Sequence, residues 1–326
     1  MATDSSALAA WEKLAPRQVA TNGIELRVYE AGAGEGPADR PAVVLCHGFP
    51  ELAFSWRHQI TALADAGHRV IVPDMRGYGG SSRPADPAAY DMLTLCADLA
   101  GLLDALGLTD AVFVGHDWGA AVVWHMALLH PDRVRAVAGL SVPPAPRAPV
   151  APMSILRSRL GDEFYICWFQ TPEPETALRA DLRRTLLSRE APTAAWAARD
   201  EPAAPLPRWL REDELAVYIE TFEETGFTGG LNYYRNIDRT WELMEPLAGR
   251  TVDQPSFFAI GSRDPVGTFS ATEGLDRILT DQRGHLVLDG AGHWIQQERP
   301  DEVNAALLDF LGSLRAPAAN ERTTPA

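Results

Sequence analysis

The chemistry of this 326-residue chain gathers first around one short stretch, Gly115-His116-Asp117-Trp118-Gly119. It separates an apolar strand-like run, Ala111-Val112-Phe113-Val114, from a largely apolar helical run, Ala120 to Leu129. Glycines on either side of a central acid suit a sharp strand-to-helix turn, where a side chain would collide with neighbouring backbone. Such a turn presents Asp117 at a helix N-terminus, whose amides and dipole favour an anion. An aspartate after a strand can equally be an ordinary helix cap, so later residues must decide. Asp264, in Gly261-Ser262-Arg263-Asp264-Pro265, follows the apolar run Ser256 to Ile260. His293, in Gly290-Ala291-Gly292-His293-Trp294, follows Leu286-Val287-Leu288. The chain order nucleophile, acid, histidine, each after a later strand, is that of a triad built on such an elbow. All three fall at carboxyl ends of parallel strands, the edge where open α/β sheets place ligands. Ser141 occupies the end of the intervening strand, so no carboxylate there competes with Asp264.

An oxyanion formed at Asp117 would need two backbone N–H donors, one following the nucleophile and one from an early loop. Trp118 supplies the first and Phe49, in His47-Gly48-Phe49-Pro50, the second. His47 reads as a residue that fixes this loop, and His116 as one packed beside the elbow. Cys46 and Cys167 read as buried thiols, and Tyr78 as a structural turn residue.

These residues require an alternating scaffold. Gly23 to Ala31 alternates as a hairpin strand, and Ala42 to Cys46 is apolar throughout, as a strand covered on both faces must be. Helical spacing follows from Trp56 to Ala66, a strand at Arg69 to Pro73, and a helix from Leu93 to Leu106 stopped by Gly107. A further strand is expected from Val134 to Val142. The expected class is α/β, a mostly parallel central sheet flanked by helices with right-handed crossovers. From Pro143 to Glu245 the rhythm changes to helical and aromatic text with four of nine Trp and four of seven Tyr. A loop of Ala and Pro is expected around Ala191 to Pro207. Strands resume at Ser256 and Leu286, and an amphipathic helix runs from Asp301 to Leu314. The expected organisation is a core in two parts, 1–142 and 246–315, an inserted helical unit, 143–245, and a disordered tail, 316–326.

Composition removes other classes. The formal net charge is -15, and no basic run offers the footprint a nucleic-acid partner needs. Lys13 is the single lysine, which argues against a phosphate-gripping P-loop or a Schiff base. The three cysteines, Cys46, Cys96 and Cys167, form no CxxC pair, which argues against a disulfide framework and a cysteine-based metal site. No apolar run approaches the roughly 18 residues of a membrane span, and the first residues lack the pattern of a secretory signal. A cytoplasmic protein without membrane partner is expected.

The combination of His47-Gly48-Phe49-Pro50, the elbow at Asp117, Asp264 and His293 resembles α/β-hydrolase-fold enzymes with an aspartate nucleophile. The insertion resembles the cap of soluble epoxide hydrolases in two stretches, Phe164 to Gln170 and Gly226 to Trp241. This similarity covers about Val19 to Leu314, and its cap motif is more specific than the elbow, which dehalogenases share. One departure is Thr171-Pro172-Glu173-Pro174, where the family more often has Glu-Pro-Gly. The resemblance implies that Tyr165 and Tyr234 are the ring-opening phenols, while Tyr218 and Tyr233 are read as aromatic packing. It further implies an epoxide as the small-molecule partner and conversion to a vicinal diol through an ester on Asp117, without metal or organic cofactor. Water activated by His293 and Asp264 would hydrolyse that ester. A haloalkane or haloacid dehalogenase with the same triad, and a noncatalytic small-molecule binder on this fold, are the alternatives. A monomer or homodimer is expected.

Overall fold

The computed structural model describes residues 5–32, 40–188, 190–270 and 272–314. The expected tail, 316–326, lies outside the described residues. The sheet begins with a hairpin, β1 (Arg17–Thr21) and β2 (Ile24–Ala31), joined by Asn22-Gly23 with φ of 42° and 76°. An Asn-Gly pair with both φ positive matches the twist of the strands it connects. Six strands follow: β3 (Val43–Cys46), β4 (Val70–Pro73), β5 (Ala111–His116), β6 (Val134–Leu140), β7 (Ser256–Gly261) and β8 (Gln282–Leu288). Their spatial order is β1-β2-β4-β3-β5-β6-β7-β8. β2 meets β4 antiparallel, and every pairing from β4 to β8 is parallel.

This order creates the position that matters for chemistry. The chain lays β4 on one side of β3 and β5 on the other, so the winding direction reverses between β3 and β5. Ligands in open α/β sheets bind outside the carboxyl ends of strands at such a reversal. The register pairs Cys46 with Gly115, which sets the loop carrying Phe49 beside the elbow carrying Asp117.

Every residue of β3, β4, β5 and β7 is buried, which explains why these runs are apolar rather than alternating. Full burial of each such aliphatic or aromatic side chain contributes roughly 1.5–3 kcal/mol. The helix Met92–Ala105 is capped by Asp91, whose side chain accepts from Thr94 N, and packs against the helix Trp118–Leu129. The helix Arg57–Asp65 packs against Pro300–Ser313, the amphipathic segment expected near the end of the chain. None of the described helices is long and apolar enough to cross a membrane.

Two expectations need correction. β6 stops at Leu140 rather than Val142, because Ser141 takes a positive φ of 69° and turns the chain out of the sheet. The segment read as a loop from Ala191 to Pro207 contains a short helix, Ala194–Ala198. Thr193 starts it by accepting from Trp196 N at 3.1 Å, and the buried Trp196 ring lies under the Arg184 guanidinium at 4.2 Å. Between β6 and β7 the other regular elements are also helical, including Tyr165–Trp168, Glu212–Thr225 and Thr228–Arg235.

Candidate active site

Asp117 stands between β5 and the helix Trp118–Leu129 with φ 53° and ψ -120°. A non-glycine residue in such a conformation is strained by roughly 1–3 kcal/mol and persists only when its surroundings hold it. The flanking glycines show how tightly it is held. A Cβ on Gly115 would lie 2.2 Å from the Gly119 carbonyl oxygen, and one on Gly119 would lie 2.0 Å from that of Cys46. The elbow is therefore closed against its own helix and against β3, as its sequence requires.

The two carboxylate oxygens of Asp117 face different partners. Oδ1 accepts from Phe49 N at 2.9 Å. Oδ2 lies 3.6 Å from His293 Nε2. On the other side of the imidazole, His293 Nδ1 donates to Asp264 at 3.0 Å from Oδ2 and 3.1 Å from Oδ1. Asp264 Oδ1 is in turn fixed by Val266 N at 2.9 Å. The structure thus brings Asp117, Asp264 and His293 together from the ends of β5, β7 and β8.

Burial would raise the Asp117 pKa, but the neighbouring His293, His116 and Phe49 N–H outweigh it and hold the carboxyl below its ordinary value. For His293 burial would favour the neutral ring. The carboxylates of Asp117 and Asp264 reverse that and hold its pKa well above the usual range. Both shifts favour an ionised aspartate beside a protonated histidine.

The loop of His293 is pinned on both sides. Glu298 accepts from Gly292 N at 2.8 Å and from Trp294 N at 3.0 Å. The His293 carbonyl accepts from Ser141 Oγ at 2.7 Å and from His116 Nε2 at 2.8 Å. His116 Nδ1 lies 2.7 Å from Glu51 Oε2, so both ring nitrogens are engaged. His116 therefore bridges the fully buried Glu51 carboxyl and the His293 loop. Burial opposes ionisation of Glu51, yet the charge and hydrogen bond of His116 keep its pKa below the ordinary value. Glu51, Glu298 and the Ser141 hydroxyl are site residues that sequence reasoning missed. A carboxylate set among Pro50, Leu52 and Ala53 in an otherwise apolar stretch was the available signal for Glu51.

His47 fixes its loop, as read from the sequence: its Nε2 accepts from Met75 N at 2.9 Å, leaving Nδ1 to donate to the Gly48 carbonyl at 3.0 Å. Tyr78 is fully buried within its turn, with its ring against His47. Cys46, Cys96 and Cys167 are free and buried, and burial raises the pKa of each thiol.

The two tyrosines come from the inserted helices. Tyr165 opens the helix Tyr165–Trp168, Tyr234 lies in Thr228–Arg235, and their ring centroids are 6.0 Å apart. Tyr234 meets Trp118 edge-on at 5.0 Å and Phe49 at 5.4 Å, the two residues that flank the Asp117 carboxylate. Burial raises both phenol pKa values and the charge of Asp117 raises them further, which keeps both groups protonated. A hydrogen bond from the Trp118 side chain partly offsets this at Tyr234. Gly229 and Gly230 let that helix approach: a Cβ on Gly229 would lie 2.1 Å from the Gly77 carbonyl oxygen, and one on Gly230 2.6 Å from the Phe49 ring. Tyr233 packs instead, with its hydroxyl donating to the Arg76 carbonyl at 2.8 Å.

Comparison with known proteins agrees with this geometry. Residues 41–300 match the alpha/beta hydrolase fold family. Epoxide hydrolase A of Mycobacterium tuberculosis is 51% identical over 91% of this chain and 97% of its own length. Epoxide hydrolase A from Mycobacterium thermoresistibile superposes with a TM-score of 0.86 at 50% identity, over 94% of this chain and 100% of that one. Potato epoxide hydrolase I superposes with a TM-score of 0.84 at 36% identity, over 92% of this chain and 100% of that one. With Asp117, Asp264 and His293 gathered on the sheet edge, two tyrosines near them, and relatives of this likeness along nearly the whole chain, the protein belongs to the α/β-hydrolase fold family, in its epoxide hydrolase branch.

Proposed function

We propose that the chain hydrolyses epoxides to vicinal diols by a two-step cycle in which Asp117 is the nucleophile, His293 the base, Asp264 its support, and Tyr165 and Tyr234 the acids. The observation that carries this reading is the division of the Asp117 carboxylate. Oδ1 is already held by the Phe49 N–H, while Oδ2 is the oxygen left to attack. Attack of Oδ2 on a ring carbon forms one C–O bond and breaks another. The departing oxygen stays on the substrate and gains negative charge, which a phenol relieves by donating its proton.

The product of that step is an ester whose carbonyl oxygen is Oδ1, seated where Phe49 N and Trp118 N would meet the oxyanion of the second step. Ester formation also neutralises Asp117. It removes one of the two carboxylates that hold the proton on His293, so the imidazolium passes that proton to the phenolate left by ring opening and the neutral ring then takes one from water. The resulting hydroxide adds to the ester carbon. The diol oxygen leaves with the proton from His293, and the remaining water proton returns to His293 as the Asp117 carboxylate is regenerated.

Residues 143–245 act in this reading as a cap that carries both phenols over the sheet edge. All the groups come from one chain, so a monomer and a homodimer would each hold complete sites. Three buried free thiols fit a reducing, cytoplasmic setting. The test is the His293→Gln variant with a reactive epoxide: ester formation should survive while hydrolysis stalls, giving an intact-mass increase equal to one substrate. No adduct in that variant would count against the assignment of His293.

A further inference from the structure

The Glu51–His116 pair that supports the His293 loop continues outward through buried polar groups. Glu51 Oε1 accepts from Gln296 Nε2 and from Gln297 Nε2, both at 3.0 Å. Gln297 Oε1 accepts from Arg57 Nη1 at 2.7 Å and from the Tyr218 hydroxyl at 3.1 Å. Arg57 Nε donates to Glu214 Oε1 at 2.7 Å. Glu214 and Tyr218 belong to the inserted helix Glu212–Thr225, whereas Arg57 begins the core helix Arg57–Asp65. The Arg57 side chain is 0% exposed and that of Glu214 2%.

A hydrogen-bonded chain thus runs from the insertion to the base: Glu214, Arg57, Gln297, Glu51, His116, and the carbonyl of His293. Stability alone does not account for its outer half. A buried ion pair is often matched or exceeded by apolar side chains of the same volume, and Arg57 Nη2 has no hydrogen-bond partner among the described residues. Salt bridges elsewhere lie mostly at exposed or half-buried positions. Among the described residues, the others that join the same two units, Arg239–Asp91 and Arg83–Glu224, each have an exposed partner, whereas this one is buried on both sides.

We infer that Glu214, Arg57 and Gln297 are positioning residues for the hydrolytic step, aiming His293 at its water only when the inserted helix is docked. The inference rests on His293 being the base, as proposed above. The first step does not use His293 as a base, so it should be insensitive to this chain. The second step should feel any shift of the His293 loop.

The test separates the two steps by rapid mixing and mass measurement of the ester in the full-length protein. Arg57→Met with Glu214→Leu replaces the pair by apolar side chains. It should change ester formation by no more than about twofold while slowing hydrolysis by roughly tenfold or more, within the 10²-fold that an ångström of misplacement can cost. Ester should therefore accumulate. Glu214→Gln keeps an acceptor for Arg57 and should restore hydrolysis to within about threefold of the parent. Gln297→Met leaves the Arg57–Glu214 pair intact and cuts the chain further in, so it decides by the same ratio should the double variant fail to fold. Equal slowing of both steps, or no slowing of either, would overturn the inference. Ester accumulating in His293→Gln but not in these variants would overturn it while leaving the base assignment standing.

Discussion

The sheet half and the inserted half of the site are held by different forces. Asp117, Asp264 and His293 sit on strand ends, each fixed by short hydrogen bonds from backbone or side chain. Tyr165 and Tyr234 sit on short helices and are held largely by ring edges. Tyr165 meets Phe164 at 4.7 Å and Phe169 at 5.5 Å, and Tyr234 meets Phe169 at 4.9 Å. Hydrogen bonds fix angle and distance, whereas edge-on rings tolerate small sliding. The contrast matches the tasks proposed above: a nucleophile and base must be aligned to tenths of an ångström, while an acid meets an oxygen whose place varies with the substrate.

Breaking the rigid half should cost most. Asp117→Ala removes the attacking atom and should lower diol formation by roughly 10⁴-fold or more, with no ester adduct in intact-mass spectra. On the adaptable half, Tyr165→Phe and Tyr234→Phe together should approach the upper part of the 10²–10⁴-fold range of general acid assistance. Either single substitution should leave measurable turnover, because one phenol can partly replace the other. Equal collapse of single and double variants in single-turnover rates would erase the distinction drawn here.

Acid conditions should separate the halves without mutation. Asp117 is depressed and stays ionised as the pH falls, so ester formation should persist. Hydrolysis needs neutral His293, so the steady-state fraction of ester should rise with acidity and fall as the pH is raised. The same shifts act on stability with opposite senses. That of Asp117 contributes above about pH 3.8 and is lost as the pH falls through its lowered value. That of His293 contributes below about pH 6.5 and is lost as the pH rises through its raised value. Quenched-flow measurement of ester at several pH values checks the catalytic part, and melting curves the other. The smallest effect should come from Ser141→Ala. It removes one of two donors to the His293 carbonyl, a change worth about 0.5–1.5 kcal/mol in the hydrolysis rate, with ester formation unaltered.

What could be read from the amino-acid order follows the same division. The elbow, Asp264 and His293 are legible because glycines and apolar strands surround each one locally. Phe49 is legible because its loop follows the strand that must lie beside the elbow. The supports are not. Glu51 and His116 are 65 positions apart, and His116 reaches the His293 carbonyl across 177. His116 reads from sequence as packing, and only its two hydrogen-bond partners reveal a strut beneath the His293 loop. The turn at Ser141 and the helix at Ala194–Ala198 depend on one backbone angle and one threonine cap, signals too local for apolar spacing to carry.

The central claim is that water attacks an ester carbon of Asp117 and never the epoxide itself. A single turnover in heavy-oxygen water, with enzyme in excess over a styrene-type epoxide, tests it most directly. Peptide mass analysis should find the heavy oxygen in the Asp117 carboxylate, and the diol of that first turnover should carry none. Heavy oxygen in the diol with an unlabelled Asp117 would contradict the account.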